Sequence, residues 1–224
     1  MDATVSHAPF SSEALRRACR QLPPPGRRSL VVELDDPRHA ALLVPFTETD
    51  EGLGVVVTRR TSTMRRHGDD WVFPGGSVDP GDASAAAGAL REASEELGVP
   101  ADRFELLGQL DTHGPIVTGY VIDVFVALVV PRTRWRPDPR EVAEVATVPL
   151  RRLVAPGNAF RAPMDPVHAP DPARHRLRFK FDGTRELLHF AIRPGEHLWG
   201  MQADILAELL LHLDAGTGLI ALPD

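Results

Sequence analysis

Apolar residues recur along this chain with two periods, one of a helix and one of a strand. Between residues 12 and 22, Leu15, Ala18, Cys19 and Leu22 fall on one side at helical spacing, and Pro23-Pro24-Pro25-Gly26 ends the segment. Ala40 to Phe46 and Gly54 to Arg59 predict buried strands, separated by an acidic loop from Thr47 to Gly52. Ala83, Ala86, Leu90, Ala93 and Leu97 form a helical stripe that can pack on a sheet, and Gly98 and Pro100 stop that helix. Phe104 to Asp111 and Gly119 to Val130 predict two more strands. The second is almost continuously apolar, as expected of a central strand, and Pro131 closes it. Ala155 to Arg176, rich in Pro, Ala and charged residues, reads as an irregular insertion rather than a linker between domains. Leu177 to Phe181 and Leu187 to Ile192 flank a hairpin turn at Asp182-Gly183. Leu198 to Leu213 predicts a closing helix opened by Trp199-Gly200, with Leu198, Ile205, Leu206, Leu209 and Leu213 on its apolar side.

The chemistry sits opposite the Ala83–Leu97 stripe. At about 100° per residue, Glu92, Glu95 and Glu96 occupy i, i+3 and i+4, so their carboxylates share one face. Like charges a turn apart repel, and Arg91 offsets only part of that. A bound divalent cation removes the conflict, because hard ions such as Mg2+ or Mn2+ take carboxylate and phosphate oxygens. A solvated acidic face accounts for most Glu-Glu pairs in helices. Here the preceding Pro74-Gly75-Gly76 turn and the spacing favour the cation. Arg59, Arg60, Arg65 and Arg66 form a basic stretch just before that turn, where guanidinium groups can meet phosphate bidentately.

Composition narrows the setting. With 224 residues, 43% of them hydrophobic, the chain can bury a core without covalent staples. A net charge of −6 argues against nonspecific nucleic-acid binding. The single cysteine, Cys19, forms neither an intramolecular disulfide nor a thiolate zinc site, which suits a reducing cytoplasm. No membrane span and no secretion signal can be read.

The segment from Gly76 to Gly98 resembles the signature of the Nudix hydrolases: Gly, five residues, Glu, seven residues, Arg-Glu, an aliphatic residue, any residue, Glu-Glu, any residue, Gly. Gly76, Asp82, Arg91, Glu92, Glu95, Glu96 and Gly98 carry the match. Asp82 stands in place of Glu, eight residues rather than seven separate it from Arg91, and Ala93 replaces a larger aliphatic residue. Phe73-Pro74-Gly75-Gly76, Asp79, Asp82 and Leu90-Arg91-Glu92-Ala93 are similar to the coenzyme A pyrophosphatase branch. Thr58, Arg60, Arg65 and His67 are similar to an upstream element of that branch, from which Thr61 departs, as does Asp69 where a Gly is usual, with Gly68 just before it.

Over about residues 38 to 213, the resemblance implies an α/β fold, a Nudix-type α/β/α sandwich with a mixed sheet. Residues 1–37 would form an N-terminal helix and extension, and 38–224 the hydrolase domain with its insertion at about 155–176. The implied reaction is Mg2+- or Mn2+-dependent hydrolysis of coenzyme A or an acyl-coenzyme A to 3′,5′-ADP and a 4′-phosphopantetheine. ADP-ribose, a dinucleotide, or noncatalytic nucleotide sensing are the alternatives. Glu92, Glu95 and Glu96 would bind metal and Arg91 would orient a glutamate. Gly75 and Gly76 would let backbone approach the substrate, and Arg60 and Arg65 would meet its phosphates. Glu141, six residues before Thr147, would supply a further ligand or a base, with Glu144 its competitor. The expected partner is a small nucleotide, with neither nucleic acid nor membrane; a homodimer is one option for assembly.

Overall fold

The computed structural model describes residues 10–28, 37–62, 68–114, 119–163, 186–214, 218 and 220–223. Helix α1 (Ser12–Arg20) is followed by strands β1 (Arg27–Arg28), β2 (Arg38–Thr49), β3 (Gly52–Arg60), β4 (Trp71–Val72) and β5 (Gly75–Ser77). Helix α2 (Ala85–Leu97) then leads to β6 (Phe104–Gln109), β7 (Thr112–His113), β8 (Tyr120–Val129), β9 (Val142–Pro149) and the short α3 (Leu150–Leu153). The remaining described elements are β10 (Ala159–Pro163), β11 (Glu186–Arg193), β12 (Glu196–Trp199) and α4 (Met201–Asp214).

The sheet is mixed because its central pair is parallel while its hairpins are antiparallel. Strands β2 and β8 run parallel from Arg38↔Tyr120 to Phe46↔Leu128. On its other side β2 divides its partners: Phe46–Thr49 forms a hairpin with β3, whereas Ala40–Leu42 pairs with β5. Strand β3 continues antiparallel to β9 and touches β4 at Thr58 and Arg59. The inner residue alternation sorts into two cores. Leu42, Val44, Phe46, Val55, Val57, Val124 and Val126 face α1 and α4, while Ala41, Leu43, Val56, Phe125 and Ala127 face α2. Strand β8 is therefore buried on both faces, as its continuous apolar run implies. The result is an α/β/α arrangement.

Each helix is bounded by local chemistry. The Ser11 hydroxyl accepts the Ala14 N–H at 3.2 Å, and the Ser84 hydroxyl accepts the Ala87 N–H at 3.1 Å. Gly98 ends α2 with φ 62° and ψ 39°, donating its N–H to Ser94. Burying Leu97 completely adds about 1.5–3 kcal/mol to this face. On the far face, the buried Glu208 of α4 accepts the Asp111 N–H at 3.0 Å and pairs with Arg28 at 3.3 Å. Burial pushes the adjacent His113 down to about 4, so its imidazole stays neutral beside that pair.

Several boundaries differ from the sequence reading. Thr47–Thr49 extends β2, so the acidic loop contracts to a turn at Asp50 and Glu51. Ala83 precedes α2, whose stripe runs from Ala86. Part of the insertion read as irregular, Ala159–Pro163, is a strand paired to β11. Leu187–Ile192 lies within β11, which pairs with β10 and β12; the proposed partner at 177–181 lies outside the described residues. Leu198 and Trp199 belong to β12, and α4 begins after Gly200, whose φ of 59° permits the turn. Helical periodicity cannot distinguish Leu198 on a strand from Leu198 on a helix, because both arrangements bury it. Among the described residues, no helix is long and apolar enough to cross a membrane.

Gly98 offers a test of how α2 is held. A Cβ there would lie 1.8 Å from the Arg136 carbonyl oxygen, besides requiring a left-handed backbone. Gly98→Ala is expected to lose more than about 2 kcal/mol of unfolding free energy in a denaturant titration. A loss below about 0.5 kcal/mol would show that the Arg136 segment simply moves aside.

Candidate active site

The site begins with a backbone contact. After β4, Phe73 donates its N–H to Gln202 of α4 at 3.0 Å, and Pro74 accepts from Leu43 at 2.9 Å. The chain then lies along β2, with Gly75 and Gly76 opposite Leu42 and Ala41. Gly75 has φ 151°, and a Cβ on it would stand 2.3 Å from the Ala41 carbonyl oxygen. A Cβ on Gly76 would stand 2.5 Å from the Glu92 carboxylate. Two glycines thus let the loop fit between β2 and the acidic face of α2.

Arg91 organises the next layer. It meets Asp82 through two bonds, Nε to Oδ1 and Nη2 to Oδ2, each 3.0 Å. Nη1 donates to Glu92 at 2.8 Å, and Nη2 also reaches the Ser77 carbonyl at 3.2 Å. Asp82 accepts the Asp79 N–H at 2.8 Å and returns its own N–H to the Asp79 carbonyl at 2.9 Å. The Arg91 bonds, followed by the Asp79 N–H, hold the Asp82 carboxyl below its usual range. The shorter acid and longer spacing noted in the sequence still close the pair, because Asp82 sits in a turn ahead of the Ser84 cap and reaches back over Gly88.

The three helix carboxylates meet different surroundings. Glu95 is exposed and lies 3.7 Å from Arg91, Glu92 is mostly covered, and Glu96 is buried. Burial pushes Glu96 up to about 8, opposed by the positive field of Arg60 and the Gly75 N–H bond at 3.3 Å, and reinforced by Glu92 and Glu141. Glu141, in the turn just before β9, therefore acts on Glu96 across the site. Its competitor Glu144 is committed elsewhere, at 2.6 Å from Arg193 and 3.3 Å from Arg59. The buried Arg60 Nε has no hydrogen-bond partner among the described residues. Arg65 and His67 lie outside the described residues.

Among the described residues, no three acidic, imidazole or thiol groups form a ready-made chelate. Arg91 holds Glu92, and Glu95 extends into solvent. The donor set nevertheless fits a hard divalent cation. All its atoms are carboxylate oxygens, and a buried Glu96 beside Glu92 and Glu141 has only partial cationic compensation. The sequence reading did not identify a cleft bounded by Arg59, Trp71, His189 and Trp199. Its signal was the alternation of His189 and of His197 with Trp199 around core residues in β11 and β12.

A sequence model described as the NUDIX domain matches residues 36–168. The chain is 32% identical over 200 residues to "Uncharacterized Nudix hydrolase NudL" of Photorhabdus laumondii, covering 88% of this chain and 95% of that protein. A protein of the same name from Salmonella paratyphi B is 32% identical over 187 residues, 84% of this chain and 88% of its own. A solved MutT/nudix family protein from Enterococcus faecalis is 18% identical, with a TM-score of 0.47 over 88% of this chain and 66% of that one.

The two glycines should respond differently to a methyl group. At Gly75 the obstacle is rigid backbone of β2, so Gly75→Ala is expected to cost more than about 2 kcal/mol in denaturant unfolding. At Gly76 the obstacle is the end of a flexible side chain, and Gly76→Ala should stay within about 1 kcal/mol of the parent while displacing Glu92. Equal losses for both variants would contradict the described path of the loop.

Proposed function

The chain belongs to the Nudix hydrolase family, whose members act on nucleoside diphosphate-linked substrates, and from that membership we propose that its substrate is coenzyme A or an acyl-coenzyme A. Cleavage of the diphosphate would yield 3′,5′-ADP and 4′-phosphopantetheine, acylated or free. The observation carrying this reading is the buried Arg60 Nε, without a hydrogen-bond partner among the described residues, at the edge of the glutamate cluster and within the Thr58–Phe73 stretch similar to the coenzyme A branch.

Glu92, Glu95 and Glu96 would hold Mg2+ or Mn2+. Such a cation supplies charge neutralisation on the diphosphate and a more acidic bound water. The chain's own residues do the positioning. Arg91, locked on Asp82, orients Glu92 from one side. Gly75 and Gly76 let the loop lie close against β2 and Glu92, and their backbone would be the part the diphosphate approaches. Arg60 faces the developing negative charge, and Arg65 would share the phosphate contacts. Glu141 takes a proton from the attacking water. Glu144 is unsuited to that role because two guanidinium groups hold it.

Glu95→Gln and Glu96→Gln should each lose most turnover with the fold retained, since an amide keeps the shape of the carboxylate but not its charge. Glu141→Gln should lower kcat by about 100-fold or more, and Glu144→Gln by much less. Steady-state rates at saturating Mn2+, with circular dichroism as the check on folding, decide this. Parental turnover in Glu96→Gln would remove the metal role, and Glu141→Gln within a few fold of the parent across pH 7 to 9 would move the base elsewhere.

The substrate is tested separately. Coenzyme A should give a higher kcat/KM than its 3′-dephospho form, and Arg60→Ala should shrink that ratio. An unchanged ratio would give Arg60 another role, and faster turnover of ADP-ribose than of coenzyme A would reassign the substrate.

A further inference from the structure

The NUDIX domain match ends at residue 168, yet side chains beyond it converge on the segment that leads into the glycine loop. Asp70 accepts the Trp199 indole N–H at 3.3 Å, and Glu196 accepts that of Trp71 at 2.6 Å. The Arg193 guanidinium lies 5.0 Å from the centroid of the Trp71 ring. Gln202, the second residue of α4, accepts the Phe73 N–H at 3.0 Å. Strands β11 and β12 and the start of α4 therefore hold residues 70, 71 and 73 in turn.

The scaffold behind these ties is itself well held. Phe160, His189 and Trp199 stand in register across β10, β11 and β12. Their ring centroids are 5.1 Å and 6.3 Å apart with interplanar angles of 11° and 17°, so the rings stack on one another. Arg193 joins Glu196 at 2.9 Å and Glu144 of β9 at 2.6 Å. The carboxylates and indoles lining the cleft of about 470 Å3 thus satisfy one another, and they tie the small sheet to the main one.

Gln202 differs from the other ties because it holds backbone. Strand β4 ends at Val72 and pairs with β3 at Thr58 and Arg59, so Phe73 lies past that ladder. Phe73 is 1% exposed, and its N–H finds a side-chain acceptor where a strand would otherwise supply one. The acceptor is anchored, since Ala203, Ile205 and Leu206 beside it are fully buried. The next two residues are fastened as well: Pro74 accepts the Leu43 N–H at 2.9 Å, and Gly75 donates to Glu96 at 3.3 Å. Three consecutive residues are thus tied to α4, β2 and α2. Removing the first tie leaves a buried N–H unpaired, and the segment regains a partner only by shifting. Pro74, with its fixed φ, passes such a shift on to Gly75.

We propose that Gln202 is a positioning residue of the glutamate site: through Phe73 and Pro74 it keeps the Gly75 N–H on Glu96, and so keeps that carboxylate in place within the cation-binding set. The cation half rests on the hydrolase reading; the loop half stands without it. Gln202→Met keeps the length and helix preference of Gln but lacks a strong acceptor, whereas Gln202→Glu restores an acceptor in the first turn of α4, where a carboxylate is favoured. In the full chain, NMR hydrogen exchange at the Phe73 and Gly75 amides should quicken about tenfold or more in Gln202→Met, with less than about a twofold change in β2 and β8. The dissociation constant for Mn2+, read from the electron paramagnetic resonance signal of free Mn2+ without substrate, should rise about threefold or more. Gln202→Glu should return both quantities to within about twofold of the parent. Gln202→Asn, whose shorter side chain draws the acceptor back, serves if Gln202→Met fails to fold by circular dichroism. Parental exchange at Phe73 and Gly75 in a variant without the acceptor, equal acceleration throughout β2 and β8, or no rescue by Gln202→Glu would overturn the positioning role. Faster loop exchange with unchanged Mn2+ affinity would overturn the link to Glu96. A parent chain that binds no Mn2+ would overturn the hydrolase reading and the cation half with it, while the exchange rates still decide the loop half.

Discussion

The glycine loop lies against β2 with no room for a side chain between them. At Gly75 a methyl group would stand 2.3 Å from the Ala41 carbonyl oxygen, so the loop can take its place as β5 only with glycine there. That placement turns the Gly75 N–H toward Glu96 and sets Gly76 beneath Glu92. It also uses the half of β2 that its hairpin with β3 leaves free. The same strand therefore carries the parallel sheet on one edge and the loop of the site on the other.

Around that contact, charge is arranged in two layers. Asp82 and Arg91 form a closed pair with two hydrogen bonds, and the third guanidinium nitrogen steadies Glu92. Glu96 is the opposite case: a buried carboxylate with like charges near it and only Arg60 and one N–H in compensation. The first layer is satisfied by the protein alone, whereas the second keeps only partial compensation, a donor set that fits a cation. A bulge between Arg59 and Arg60 sends neighbouring guanidinium groups into different environments, one facing the glutamates and one the aromatic cleft. This makes the end of β3 the boundary between the glutamate cluster and the cleft.

The central elements were legible in the chain because their patterns are local and strong. An apolar run such as Tyr120–Val129 has few fates other than a strand covered on both faces, and the i, i+3, i+4 glutamates lie together on any helix. The signature residues also identify themselves by spacing. In contrast, the C-terminal region misled, since Leu198 buries equally well at the end of a strand or the start of a helix, and Ala159–Pro163 gains strand structure only by pairing with β11.

Residue types and intervals in the sequence thus specified the family resemblance, the layers and the acidic helix face. Three-dimensional packing alone distinguished the carboxylates on that face, burying Glu96 and leaving Glu95 in solvent. It also separated Glu141 from Glu144, which differ by three positions in sequence yet meet a carboxylate cluster and two arginines respectively. Desolvation and through-space charge depend on which distant segments come together. No spacing along one strand encodes that, and the ring ladder of Phe160, His189 and Trp199 likewise exists only once three strands are set in register.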